Sequence, residues 1–170
     1  DIIILACSVP WNPDYTSRAD MGRDNLDLFQ EIVPPLAQAS PGGKFLVISN
    51  PVDIMTYYTI KLSGFNPSRV FGTGTILDTA RFRTMLGQHL GIAPQSVHAY
   101  VLGEHGDSEV LIWSSIAVGG VPVNEFASQM GRPLTPELKC HMDNGVRRAA
   151  YRIIDGKGAT NYGIGAGIAS

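Results

Sequence analysis

Residues 103–107 read Gly-Glu-His-Gly-Asp and place one histidine between two carboxylates and two glycines. They follow the apolar run 97–102, which is typical of a strand, and the glycines predict a tight turn at its end. Imidazole changes charge near neutral pH, so a histidine held in such a turn is suited to donate and accept protons. A single histidine in a loop is more often structural, so His105 needs partners before it indicates chemistry.

Two further segments carry polar side chains that could bind a small substrate. Residues 77–83 read Leu-Asp-Thr-Ala-Arg-Phe-Arg, and Asp78 and Arg81 lie on one face of the predicted helix. A guanidinium can hold a carboxylate through two parallel N–H bonds, although Arg81 could equally form an ion pair or lie on the surface. Residues 49–53 read Ser-Asn-Pro-Val-Asp, where Asn50 could contact ligands or simply cap the next helix.

In this order and spacing, the three segments resemble the lactate/malate dehydrogenase family, and the similarity to bacterial L-lactate dehydrogenases is the strongest. The resemblance covers nearly all 170 residues. It implies an NAD-dependent oxidoreductase that transfers a hydride between NAD(H) and a small 2-hydroxy or 2-oxo acid, foremost L-lactate and pyruvate. In the family, the residue matching His105 is the acid/base, the one matching Asp78 bonds its ring, and the one matching Arg81 holds the substrate carboxylate.

The resemblance also implies a third catalytic residue, Arg18, which would polarise the substrate carbonyl from a loop that closes over the substrate. The assignment of Arg18 depends on the segment that follows it, because residues 25–34 align well with the family and fix the alignment of Arg18. The loop departs from the family pattern, with Ala-Cys-Ser at 6–8 where relatives usually have Ala-Gly-Ala, and it is about one residue longer.

Substrate specificity depends on the same loop, where Trp11 and Asn12 share the position that distinguishes the two family branches. Malate-type relatives carry an arginine there, and neither residue is cationic, which disfavours a dicarboxylate substrate because an unpaired desolvated carboxylate is costly. Thr160 matches the lactate-type residue beside the substrate methyl group, or it is a helix cap. Malate specificity stays an alternative if Arg23 or a partner subunit supplies the cation.

The family further implies cofactor contacts for Asn25 and Asn50, and an anion-binding effector site at Arg83 and His98, for which surface charge is the plainer interpretation. No G-x-G-x-x-G fingerprint with a following acidic residue is found in the sequence. We therefore expect an internal piece of a longer protein, with flanks missing on both sides. A non-catalytic binding protein derived from a dehydrogenase is the alternative from another functional class.

Composition narrows the remaining classes. Charged residues make up 16% of the chain and the net charge is −2. The sequence has no stripe of basic residues of the kind that predicts nucleic-acid binding. Apolar runs are strand-sized and predict neither a membrane span nor a signal peptide. Cys7 and Cys140 indicate free thiols, and the scattered histidines predict no metal site. Free thiols indicate a reducing cytoplasm. The family resemblance further implies an enzyme of glycolysis that forms homo-oligomers, dimers or tetramers.

The secondary structure must position these side chains. The patterns predict strands at 2–6, 44–49, 70–71, 97–102 and 110–112, a strand pair at 116–123, and helices at 20–39, 51–62, 77–90, 136–154 and from 159. Pro34-Pro35 should kink or end the first helix, whereas Gly64 and Gly91 should end later ones. The predicted fold class is α/β: the second half of a Rossmann-type parallel sheet domain (1–74) followed by an α+β substrate domain (75–170).

Overall fold

A computed structural model describes residues 1–10, 18–158 and 160–169, with residues 18–20 as backbone only. The chain divides into two compact units, Asp1–Gly74 and Thr75–Ser170. None of the helices in the described ranges has both the length and the apolar character that crossing a membrane requires.

The first unit is a parallel three-stranded sheet in the order β1-β2-β3. Its elements along the chain are β1 (Ile2–Leu5), α1 (Arg18–Ala39), β2 (Lys44–Val47), α2 (Val52–Ser63), a short 3₁₀ helix (Pro67–Arg69) and β3 (Val70–Gly72). Each pair of neighbouring strands is joined through one helix, as parallel pairing requires. The strands are short apolar runs of the kind that parallel sheets bury, and the predicted α/β class is confirmed for this unit.

Helix α1 runs through Pro34 and Pro35 to Ala39, the last residue that the spacing predicts. Of the two predicted effects of these prolines, a kink or an end, the end is therefore wrong. Each proline removes one backbone hydrogen bond to the preceding turn. Phe29 and Val33 before the prolines and Ala37 after them are nevertheless all buried in the same apolar cluster. Burial on both sides of the proline pair therefore outweighs the lost bonds.

Helix α2 begins one residue later than the sequence predicts, and the expected cap at Asn50 is wrong. Pro51 occupies the N-cap position with φ −68° and ψ 115°, and no side chain caps the helix. Because Pro51 is extended rather than helical, Asn50 lies outside the helix. The predicted end is confirmed, since Gly64 has a φ of 65°, a left-handed conformation that favours glycine.

The second unit is built from two small antiparallel sheets and five helices in the described ranges. Strand β4 (Val97–His98) pairs with β7 (Ala117–Val118), which pairs with β8 (Val121–Pro122), while β5 (Val101–Leu102) pairs with β6 (Val110–Leu111). The helices are α3 (Ile76–Leu90), α4 (Val123–Gln129), α5 (Pro136–Arg147), α6 (Ala149–Lys157) and α7 (Tyr162–Ala169), with 3₁₀ turns at Pro94–Ser96 and Trp113–Ser115.

Two predicted elements in this unit are each divided in the structure. The run 97–102 forms β4 and β5, which belong to different sheets, although Val97, Ala99 and Val101 keep one buried face throughout. The predicted helix 136–154 is interrupted at Arg148, where φ is −95° and ψ is 4°. Helix α5 buries Met142 and Val146 in the core, whereas α6 has no buried residue.

The core of the second unit packs α3 against the strands. Phe82, Leu86 and Leu90 on α3 are fully buried in a cluster that also includes the buried faces of β4 to β7. Trp113 packs its ring edge-on against Phe82, with 4.9 Å between the ring centroids. This packing fixes α3, whose first turn carries Asp78.

Candidate active site

The site is built around one short hydrogen bond between α3 and the turn that follows β5. Asp78 is 2% exposed, and its Oδ2 atom lies 2.5 Å from Nδ1 of His105. The turn reverses sharply at Gly103, whose φ of 93° favours glycine. With Nδ1–H donated to the carboxylate, the tautomer of His105 is set, and Nε2 is the second ring nitrogen.

Backbone and threonine contacts hold the two sides of this bond together. Thr75 Oγ1 donates to the carbonyl oxygen of Val101 at 2.6 Å, and the Val101 amide donates to Thr79 Oγ1 at 3.0 Å. Both threonines lie beside the first turn of α3, and Val101 lies in β5 immediately before the histidine turn. The start of α3 is thereby fixed against β5.

Arg81 shares the carboxylate of Asp78 with His105. Its Nη1 atom lies 3.1 Å from Oδ1 of Asp78, so each carboxylate oxygen has its own partner. The Arg81 and His105 side chains are each 22% exposed, whereas that of Asp78 is 3% exposed. The ion pair that the sequence left open is thus present, and it uses one of the five N–H donors of the guanidinium. Two groups that solvent reaches are joined through one buried anion.

Glu109 is a member of this cluster that the sequence analysis missed. It is 2% exposed, and one ligand-capable atom from each of Asp78, His105 and Glu109 lies within 4.8 Å of the others. Burial and then the charge of Asp78 raise the pKa of Glu109 to about 7, while Arg147 and His105 act in the opposite direction. Within the described residues, its Oε1 atom is the buried side-chain oxygen that lacks a hydrogen-bond partner.

Strand parity could have revealed Glu109 before the structure did. It stands two positions before Leu111, which is buried in β6, and side chains two apart along a strand share a face. A glutamate before a predicted strand is ordinarily taken as solvated, and that assumption hid the buried face.

Helix α5 holds the histidine turn from the other side. Arg147 Nη1 donates to the carbonyl oxygen of Asp107 at 2.8 Å. The same guanidinium bonds both carboxylate oxygens of Asp143, at 2.6 and 3.1 Å, and this contact raises the pKa of Arg147. The carbonyl of the turn is therefore anchored to an arginine whose own position is fixed by a bidentate pair.

In the first unit, polar side chains tie together the carboxyl ends of β1 and β2. Asn25 is fully buried; its Oδ1 accepts from the amide of Val9 at 2.8 Å, and its Nδ2 donates to Ser8 Oγ at 3.2 Å and to the carbonyl oxygen of Asn50 at 2.8 Å. Ser49 Oγ donates to backbone carbonyl groups at the end of β1. The Asn50 residue is exposed at this edge of the sheet.

Three predicted residues belong to the segment that leads into α1. Trp11 and Asn12 lie outside the described residues. Arg18 is the first residue of α1, and its side chain also lies outside the described part.

The other predicted residues occupy separate places in the second unit. Thr160 is exposed between α6 and α7. Arg83 on α3 donates its Nε–H to the carbonyl oxygen of Ala99 at 2.9 Å, and its guanidinium carbon lies 5.0 Å from the ring centroid of Tyr100. His98 is exposed in β4, next to the carbonyl group that Arg83 bonds.

Two family models match the chain. Residues 1–72 match the lactate/malate dehydrogenase NAD binding domain, and residues 75–170 match the lactate/malate dehydrogenase alpha/beta C-terminal domain. The L-lactate dehydrogenase of Thermus aquaticus is 56% identical over 168 residues, and that of Allorhizobium ampelinum is 54% identical over the same length. Each alignment covers 99% of this chain and 54% of the relative, so the chain spans about half the length of these curated relatives.

Solved structures agree with this similarity. A ligand-bound minor L-lactate dehydrogenase from Enterococcus mundtii superposes with a TM-score of 0.90 at 44% identity, and covers 98% of this chain and 52% of its own. A lactate dehydrogenase from a Medee basin deep-sea metagenome library gives a TM-score of 0.91 at 38% identity, with the same coverage.

Proposed function

This chain belongs to the lactate/malate dehydrogenase family, and on that premise we propose that the protein transfers a hydride between NAD(H) and a small 2-hydroxy or 2-oxo acid, with L-lactate and pyruvate as the pair. The single observation that carries the proposal is the hydrogen bond between Asp78 and His105. It joins an ionisable ring to a buried carboxylate beside an arginine, which is the set that carbonyl reduction of an anionic substrate needs.

His105 serves as the proton donor in the reducing direction. Its ring holds a proton at Nε2 while Nδ1–H stays bonded to Asp78, and the buried carboxylate stabilises the imidazolium form. The substrate carbonyl oxygen receives the Nε2 proton as it gains negative charge. In the oxidising direction the neutral ring takes the proton back from the hydroxyl group.

Arginines bind and polarise the substrate. Arg81 holds the substrate carboxylate through N–H donors of its fork that Asp78 does not use, while the ion pair keeps its side chain in place. Arg18 polarises the substrate carbonyl and is the third catalytic residue of the proposal. Its support is the register of the family motif with α1, which begins at that residue.

The first unit fits a dinucleotide at the carboxyl edge of its sheet. Open parallel sheets bind nucleotides beyond the carboxyl ends of their strands, and Asn50 is exposed at that end of β2. Asn50 would contact the cofactor, and Asn25 would support the same edge through its three hydrogen bonds. The nicotinamide, when bound, supplies the hydride, which no side chain can provide. Residues 1–74 would form the C-terminal half of the NAD-binding domain, and residues 75–170 the incomplete substrate domain.

The substrate is a monocarboxylic 2-oxo acid in this proposal. Trp11 and Asn12 at the specificity position carry no cation for a second carboxylate, and Thr160 would lie beside the substrate methyl group. Arg83 and His98 are proposed as an anion-binding effector site. We also place the enzyme in the cytoplasm as a homo-oligomer.

Steady-state kinetics of the full-length protein test the proposal. NADH oxidation is followed with pyruvate and with oxaloacetate side by side, and kcat/KM should be higher for pyruvate. His105→Asn is the matched inactive variant, and NADH fluorescence titration checks that it still binds cofactor. A higher kcat/KM for oxaloacetate would make the enzyme malate-type. NADH binding without turnover of either acid would favour the non-catalytic alternative.

A further inference from the structure

A buried glutamate lies beside the proton-holding pair, and the mechanism above does not use it. Glu109 directly precedes β6, and its amide closes the histidine turn by donating to the carbonyl oxygen of Gly106 at 3.2 Å. Its side chain is 2% exposed, and its Oε1 atom has no hydrogen-bond partner among the described residues. Buried polar atoms are nearly always bonded, so an unpartnered carboxyl oxygen beside a candidate acid/base requires an explanation.

We propose that Glu109 is a positioning residue that acts through His105: its ionised form extends the pH range over which His105 keeps its proton. The catalytic consequence of this inference rests on the proposed function, whereas the coupling between the two groups does not. A negative charge within a few ångströms stabilises an imidazolium, and a neutral carboxylic acid does not.

Four charged groups on two helices and the turn surround Glu109 and decide its state. Asp78 on α3 and Asp143 on α5 disfavour a further negative charge, while Arg147 on α5 and protonated His105 favour it. Burial and the two carboxylates outweigh the two cations and raise the pKa of Glu109 to about 7, so both of its forms are populated where the enzyme would work. A carboxyl that stayed ionised or stayed neutral throughout could not adjust His105 in this way.

The coupling has a definite sign. When Glu109 releases its proton to solvent as pH rises, the new carboxylate opposes deprotonation of the His105 ring. The two protons therefore leave in separated macroscopic steps that belong to the pair. Replacing Glu109 with a neutral isostere removes this opposition, so His105 should lose its proton at lower pH.

The test is to follow the titration of the His105 ring by NMR in the full-length protein without cofactor. The ring resonance is assigned by its absence in His105→Asn. Glu109→Gln should lower the ring's titration midpoint by roughly one pH unit. The matched control is Glu104→Gln, which removes the same charge from an exposed side chain of the same turn and should move the midpoint far less, because water screens it.

Kinetics give the second readout. In the pyruvate-reduction assay, the basic limb of the plot of kcat/KM against pH should shift to lower pH in Glu109→Gln, by the same number of pH units as the titration midpoint of the ring. A merely structural role would lower the rate without moving that limb. If the midpoint moves but the wild-type protein does not reduce pyruvate, the proposed function fails and the coupling stands.

Several results would overturn the inference. They are an unchanged ring midpoint in Glu109→Gln, a shift no larger than that of Glu104→Gln, or a shift upward. If Glu109→Gln does not fold, infrared difference spectra of the wild type between about pH 6 and about pH 8 decide instead. A buried carboxylic acid band that disappears over this range supports the inference, and a spectrum without it refutes the inference.

Discussion

Glu109 should make the protein lose stability as pH rises, and Glu109→Gln should abolish that loss. Its pKa is about 7 in the folded chain against 4.5 as the ordinary value. The unfolded chain therefore releases this proton at lower pH than the folded chain does. Below about pH 4.5 Glu109 is protonated in both states, and its ionisation does not change the free energy of unfolding. Between about pH 4.5 and about pH 7 the free energy of unfolding falls as pH rises. Above about pH 7 this loss of stability is constant.

The magnitude follows from the difference between the two pKa values. It corresponds to about 3 kcal/mol, which is a large share of the stability of an ordinary domain. The glutamine variant cannot ionise, so its free energy of unfolding should lack this fall. The variant can carry a fixed offset from its new amide, so the quantity that matters is the difference between the two proteins as a function of pH.

The assay is urea unfolding at a series of pH values, followed by tryptophan fluorescence. Trp113 packs against Phe82 in the core of the second unit and reports on that core. Protein concentration is held fixed, because association would add to the apparent stability. A wild type and a variant whose free energies of unfolding run parallel from about pH 4.5 to about pH 8 would refute the reasoning, since Glu109 would then have its ordinary pKa in the folded protein.

Three further outcomes are expected. His105→Asn should lower kcat for pyruvate reduction by about 10²–10⁴-fold with NADH binding retained, and near-normal turnover would remove His105 from the mechanism. Arg81→Lys should lower kcat/KM by about tenfold or more, because an ammonium cannot form the bidentate pair, and a loss below about twofold would contradict its role. Gly87→Ala should destabilise the protein by about 1–3 kcal/mol, because the new Cβ would lie 2.8 Å from the carbonyl oxygen of Ile92. In the control variant Gly42→Ala the new Cβ meets nothing within 4 Å, so Tm should be nearly unchanged. Equal shifts of Tm in the two variants would argue against this packing account.

The sequence predicts the fold correctly where a single residue type determines the local backbone conformation. Gly64 and Gly91 end their helices in the left-handed conformation, as their positions in the sequence indicate. Prediction failed where distant contacts decide. The alternation Val97, Ala99, Val101 is real, but the strand partners change at Ala99, which no pattern within the run encodes.

The candidate site shows the same division. The contact between Asp78 and His105 was predicted from the family motifs, and the structure contains it. Glu109 was missed because charged residues are rarely buried, so its residue type pointed to the surface. Its burial depends on α3 and α5 packing over the histidine turn, and those helices are distant from it in sequence.

The two oxygens of Asp78 serve two different partners, and this sharing constrains how the site can change over evolution or in the laboratory. A substitution at this one position disturbs both the ring of His105 and the fork of Arg81, so neither partner can be re-tuned through it alone. Substitutions at the three positions should therefore be strongly non-additive. A design that transfers the histidine turn to another protein scaffold would have to include the first turn of α3 as well.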